Sequence, residues 1–137
     1  MSKLETWMTR WYWSTVGGTL IEEFPAVMRG PNNEPRLIDG IIIRNGENRI
    51  AKWSEVSLEG KDIIVVQTKA YRLGMYLMGQ AFFSAHLMQR FKPNSIVSVA
   101  LCSKDDSVLR PIFESYQNMR VVVCPEQARP VIGPMPR

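Results

Sequence analysis

The sequence predicts an α/β domain with a mixed β-sheet flanked by helices. Three observations carry this. Two long segments repeat apolar residues at three- and four-residue spacing. Four shorter ones are β-branched and bounded by turn formers. The second half alternates strand and helix, which requires parallel neighbours joined by crossovers. A chain of 137 residues is about one domain's worth and can bury a core without disulfide staples.

Residues 3 to 16 read as a helix, because Leu4, Trp7, Met8, Trp11, Tyr12 and Val16 form one apolar stripe that Gly17-Gly18 ends. Thr19 to Met28 is rich in Ile, Phe and Val, and Pro25 excludes a helix interior. An edge-like strand is expected there. The turn formers Arg29 to Pro35 lead into a second strand, Arg36 to Arg44, and the two make a hairpin. After the Asn45-Gly46 turn, residues 47 to 60 fit a short strand and a loop. Asp62 to Ala70 is a strand built on Ile63-Ile64-Val65-Val66.

The longest helix is expected over residues 72 to 91, with Leu73, Tyr76, Leu77, Ala81, Leu87, Met88 and Phe91 as its stripe. Ser95 to Ser103 is a continuous apolar strand covered on both faces. A cap at Asp106 or Ser107 opens a short helix, and Met119 to Cys124 is the last strand. The domain therefore spans residues 1 to 124, and residues 125 to 137, with Pro125, Pro130, Pro134 and Pro136, form a Pro-rich tail.

Composition excludes several classes. No apolar stretch approaches the roughly 20 residues of a membrane helix. Glu5 stands where a signal peptide turns apolar, so a cytoplasmic location is expected. Net charge is +4, which permits a polyanion partner without requiring one. Cys102 and Cys124 end two apolar runs and read as buried thiols; with His86 the sole histidine, zinc is disfavoured. There is no P-loop and no Gly-x-Gly-x-x-Gly after a strand.

Asp39 is an acid inside an apolar strand. Gln67 and Lys69 share a face at the end of the third strand. Antiparallel pairing of these strands brings Asp39 beside Gln67 and Lys69. The Asp39 carboxylate, the Gln67 amide oxygen and the Thr68 carbonyl are hard donors of the kind Mg²⁺ takes. Lys69 suits charge that develops on a phosphate.

The order α-β-β-β-α-β, with Asp39 on one strand and Gln67-Thr68-Lys69 on a later one, resembles the PD-(D/E)XK nuclease core, the restriction endonuclease-like fold. The resemblance runs from about residue 3 to residue 103, with the last helix and strand as an α-β extension. Gln67 departs from the usual acid and resembles the Gln-x-Lys of Mrr-like members. The resemblance implies a nuclease that hydrolyses DNA phosphodiester bonds with Mg²⁺ or Mn²⁺. Its catalytic residues would be Asp39, Gln67 and Lys69, assisted by Glu5, with Glu22 and Glu23 as competitors for that role. Gln80 resembles a helix glutamine of RecB-like members.

Arg36 and Arg44 belong to a group of basic residues at the strand turns suited to phosphates, or to a solvated rim. Met75, Met78 and Phe82 lie off the helix stripe, so that face suits a homodimer or a covering segment of the same chain. The rival to catalysis is a binding module with the same fold, holding nucleic acid or a protein partner over a weakened metal site.

Overall fold

A computed structural model describes residues 1–128. Its elements, in chain order, are α1 (Lys3–Val16), β1 (Thr19–Val27), β2 (Arg36–Ile43), β3 (Arg49–Ala51), β4 (Asp62–Thr68), α2 (Met75–Met88), β5 (Ser95–Cys102), α3 (Leu109–Glu114) and β6 (Met119–Val123). The six strands form one mixed sheet in the order β3-β1-β2-β4-β5-β6. β1, β2 and β4 run antiparallel, whereas β4, β5 and β6 run parallel. No helix of the described residues is long and apolar enough to cross a membrane.

Each face of the sheet buries its own cluster. Ile41, Ile63, Val65 and Ala100 face α2, where they meet Leu77, Ala81, Ala85 and Met88, and Phe113 of α3 joins them. Leu20, Ile42, Ile64, Val66 and Leu101 face Met8 on α1. Strand alternation, with period two, supplies both sets from the same segments.

α1 starts on a capping box. The Glu5 N–H donates to Ser2 Oγ, and the Ser2 N–H donates back to Glu5 Oε1, both at 3.2 Å. Its far end closes where the Gly17 N–H donates to the Trp13 carbonyl. Gly18, at φ +86°, runs so close to β2 that an added Cβ would stand 2.3 Å from the Ile43 carbonyl oxygen. Trp13 Nε1 donates to the Gly18 carbonyl at 2.7 Å, which pins the turn between α1 and β1.

Several elements differ from the sequence expectation. β1 is an edge strand only in part: β3 pairs with it in parallel from Thr19 to Ile21. Pro25 lies beyond that reach, where no ladder donor is needed on the outer side. α2 begins at Met75, not residue 72, because Gly74 is extended and the Leu73 N–H donates to the Lys104 carbonyl. Its last turn tightens into a 3₁₀ segment, Gln89–Phe91. Its buried side is Leu77, Ala81, Ser84, Ala85 and Met88, so the expected stripe is rotated and Tyr76 faces outward. The cap of α3 is Asp106, whose carboxylate accepts from the Val108 and Leu109 N–H groups at 2.9 Å. In the expected tail, Glu126–Ala128 form a 3₁₀ turn, and residues 129–137 lie outside the described residues.

The hairpin of β1 and β2 keeps one register from Thr19↔Ile43 to Pro25↔Leu37 and shifts only between Pro25 and Val27, yet the faces its side chains take change beside Asp39. Ile21 and Phe24 both face α2, and so do Ile38 and Ile41. Strict alternation forbids a spacing of three, so each strand shifts phase by one residue, at Glu22-Glu23 and at Asp39-Gly40. Glu23 marks the spot with φ 50°, left-handed for a residue that has a Cβ. Such irregularities re-aim side chains.

Gly40 lets α1 come close at this place: an added Cβ would sit 3.0 Å from Thr9 Cγ2. Gly40→Ala should therefore push α1 outward and destabilise the protein by about 1–3 kcal/mol. Met8→Ala, which empties a fully buried site under α1, should cost about 2–5 kcal/mol. Urea unfolding measures both, and an unchanged midpoint for Met8→Ala would contradict the packing described.

Candidate active site

Pairing of β2 with β4 runs from Ile43↔Ile63 to Gly40↔Val66 and stops there. Asp39 is the first residue past the end. Its carboxylate fills the gap, with Oδ2 accepting from the Thr68 N–H at 2.8 Å. This bond replaces the backbone partner that Thr68 loses where the strands part. In extended backbone the N–H and C=O of one residue point to the same edge, so the Thr68 carbonyl is directed toward Asp39 as well.

Glu5 closes the site from α1. Oε1 is held in the capping box, and Oε2 accepts from the Ala70 N–H at 3.2 Å. One buried carboxylate thus starts a helix and caps the segment after β4. One turn on, Thr9 Oγ1 and Thr68 Oγ1 share a hydrogen bond of 2.8 Å, fully buried, which ties α1 to the same strand end.

Gln67 points to the other face of the sheet. It is only 5% exposed. Its Nε2 donates to Ser84 Oγ on α2 at 2.8 Å, and its Oε1 accepts a long 3.5 Å contact from the Asp39 N–H. The amide expected to be a metal ligand is therefore a brace between α2 and the backbone of Asp39. Lys69, just past β4, also turns toward α2, with Nζ 5.6 Å from the Tyr76 ring centroid.

Burial pushes the Asp39 carboxyl above its ordinary value. The Thr68 N–H and the Met1 amine pull it back, the nearby Glu5 charge pushes it further up, and Lys69 pulls it down. Of the three glutamates considered for the site, Glu5 is the one whose charge bears on Asp39. Glu22 is engaged by Arg10, with two hydrogen bonds of 2.9 Å. Glu23 is exposed, with Oε1 4.0 Å from the Met1 amine.

The donor set is one of hard oxygens: Asp39 Oδ1, the remaining lone pairs of Glu5 and the Thr68 carbonyl. Among the described residues no group of three His, Cys, Asp or Glu side chains is placed to hold a metal. Asp39 and Glu5 supply two carboxylates, hard oxygens of the kind Mg²⁺ takes while it keeps much of its hydration. Repulsion between Asp39 and Glu5 is what a divalent cation relieves.

Other expected residues fall elsewhere. Arg36 is exposed at the start of β2 and lines a cleft with Gln67 and Gln80. Arg44 does not join it: it lies just past the opposite end of β2, roughly 17 Å of strand beyond Asp39. Gln80 is half-buried on the cleft wall, not in the core stripe. The expected Met75/Met78/Phe82 surface is not one surface. Met78 and Phe82 pack against the core, and Phe82 stacks edge-on against Tyr116 at 5.3 Å, so the chain covers that part itself. Only Met75 is exposed.

Ser84 and Thr9 are the site residues that sequence reasoning passed over. Ser84 stands on the buried side of α2 with Gln67 opposite. Thr9 lies one turn after Glu5, beside Met8. Searches against family models, curated proteins and solved structures found no match to this chain.

The raised pKa of Asp39 has a consequence for stability. A carboxyl raised on folding contributes stability that is full below its unfolded value and lost as pH rises through its folded value. At neutral pH without metal, charged Asp39 is therefore a burden on the fold. Asp39→Asn keeps an oxygen for the Thr68 N–H and should raise the melting temperature at pH 7. The advantage should shrink on acidification through the Asp39 pKa. Thermal unfolding in chelator across that range tests this, and a variant less stable than wild type at pH 7 contradicts it.

Proposed function

We propose that the protein is a metal-dependent phosphodiesterase acting on DNA, with Asp39, Glu5 and Lys69 at its centre. The observation that carries this is the Asp39 carboxylate lodged at the end of the β2–β4 ladder, on the Thr68 N–H, with Glu5 and Lys69 in electrostatic reach. The order of α1, the β1–β2 hairpin, β4, α2 and β5 supports a restriction endonuclease-like core, with α3 and β6 as its extension.

Asp39, Glu5 and the Thr68 carbonyl would hold the Mg²⁺ or Mn²⁺. Bound there, the ion supplies a polarised phosphate and a more acidic water. Asp39 stays in place through the Thr68 N–H and through the Gln67–Ser84 brace behind its backbone. Lys69 leaves the Tyr76 face to place its ammonium against the charge growing on the phosphate oxygens. Thr9 and Thr68 hold α1 to the strand end, so Glu5 stays registered with Asp39.

A second reading has its own support. The Gln67 amide is engaged by Ser84, which leaves two carboxylates where the nuclease family commonly has three acids. A domain with so sparse a set would bind nucleic acid or a protein partner without cleaving it.

Two measurements separate these readings. With saturating Mg²⁺ or Mn²⁺ the wild-type melting temperature should rise, by the equivalent of about 2.7 kcal/mol at a hundredfold excess over the dissociation constant. Asp39→Asn should show no such rise. Lys69→Ala should fold normally, bind the ion and cleave DNA at least about a hundredfold more slowly. A wild-type protein indifferent to both ions leaves only the binding module.

A further inference from the structure

α2 presents an outer face that nothing among the described residues covers. Tyr76 is 72% exposed and Phe83 is 62% exposed. They lie seven positions apart on the helix, about 10 Å along one side. Gly79 lies between, with open space where its Cβ would be. This face forms one wall of a cleft of about 490 Å³ that also takes in Gln67, Gln80 and Arg36. A second cleft, of about 690 Å³, continues from it past Phe83 to the β1–β2 turn and Arg29. Arg36, Phe83 and Leu87 belong to both, so the two make one track.

The track carries an excess of positive charge. Arg29 and Arg36 line it, and its single acid, Glu34, is paired with Arg29 at 3.1 Å. At the other end Lys69 stands over Tyr76. Exposed aromatic faces in a basic groove suit a polyanion whose flat apolar groups are free to stack. A duplex keeps its base faces stacked inside and cannot offer them to Tyr76 and Phe83. A second copy of this chain suits the face less well. A two-fold interface would set each copy's Arg36 and Lys69 against a surface of the same sign.

We infer that this track binds single-stranded nucleic acid, with unpaired bases stacked on Tyr76 and Phe83 and a phosphate on Arg36 between the two clefts. A base on Tyr76 delivers its neighbouring phosphate to Lys69 and Asp39. That last step rests on the phosphodiesterase reading; the binding does not. The substrate class is thus a single strand, or the unpaired end of a duplex, entering along α2.

The test is fluorescence anisotropy on the full chain in chelator, at fixed low salt, with labelled oligothymidylate and a duplex of equal length. Wild type should bind the single strand more tightly. Tyr76→Ala and Phe83→Ala should each weaken single-strand binding roughly tenfold, with duplex binding little changed. Tyr76→Phe and Phe83→Tyr should keep the affinity, which separates stacking from loss of fold. Equal affinity for duplex with equal losses overturns the inference, as does indifference to both aromatics. So does a dimer, seen by sedimentation, that the alanine variants dissolve. Failure of metal-dependent cleavage with single-strand binding intact removes the phosphodiesterase reading alone. Full-rate cleavage of duplex by both alanine variants removes this inference alone.

Discussion

The hydrogen bond from the Thr68 N–H to the Asp39 carboxylate is the contact on which the rest of the site depends. Two strands part there, and an orphaned backbone donor in a half-buried place needs a partner. A carboxylate meets that need and leaves a second oxygen directed into the gap. The fold therefore holds a charge at a point where burial opposes charge. That tension arises from the end of the ladder.

Around this bond the supports are redundant in kind but separate in origin. Glu5 arrives from a helix cap, Thr9 from the same helix one turn on, and Gln67 from the opposite face of β4 through Ser84. Each is anchored to rigid secondary structure, which holds the Asp39 carboxylate in place. Glu23, with its left-handed backbone, is the exception, a strained point surrounded by regular packing.

The outer face of α2 is the other feature that the core does not account for. Its buried side is built of Leu77, Ala81, Ser84, Ala85 and Met88, mostly small residues that bring the helix close to β4 and β5. The large aromatics Tyr76 and Phe83 are displaced outward as a result. Burying Ser84 serves Gln67, so the polar brace behind the site and the aromatic track in front of it come from a single choice of helix rotation.

By itself the sequence determined most of the elements, the β1–β2 hairpin and the parallel half of the sheet, but not the parallel pairing of β3 with β1. Apolar spacing set α1, β-branched runs set β2, β4 and β5, and the alternation of strand and helix set the parallel half, because these signals are local and periodic. It also put Asp39, Thr68 and Lys69 in one neighbourhood once β2 and β4 were taken as antiparallel neighbours, a pairing the ladder from Ile43↔Ile63 to Gly40↔Val66 bears out. Tertiary structure decided the orientation of each group. A period of two cannot reveal a phase break, so Asp39 was expected alongside the Gln67 amide and is found on the Thr68 N–H. The rotation of α2 was equally illegible, because a helix apolar on nearly every side carries no directional signal. Only packing against β4 and β5 turned Ser84 inward, left Tyr76 and Phe83 outside, and let Tyr116 cover Phe82.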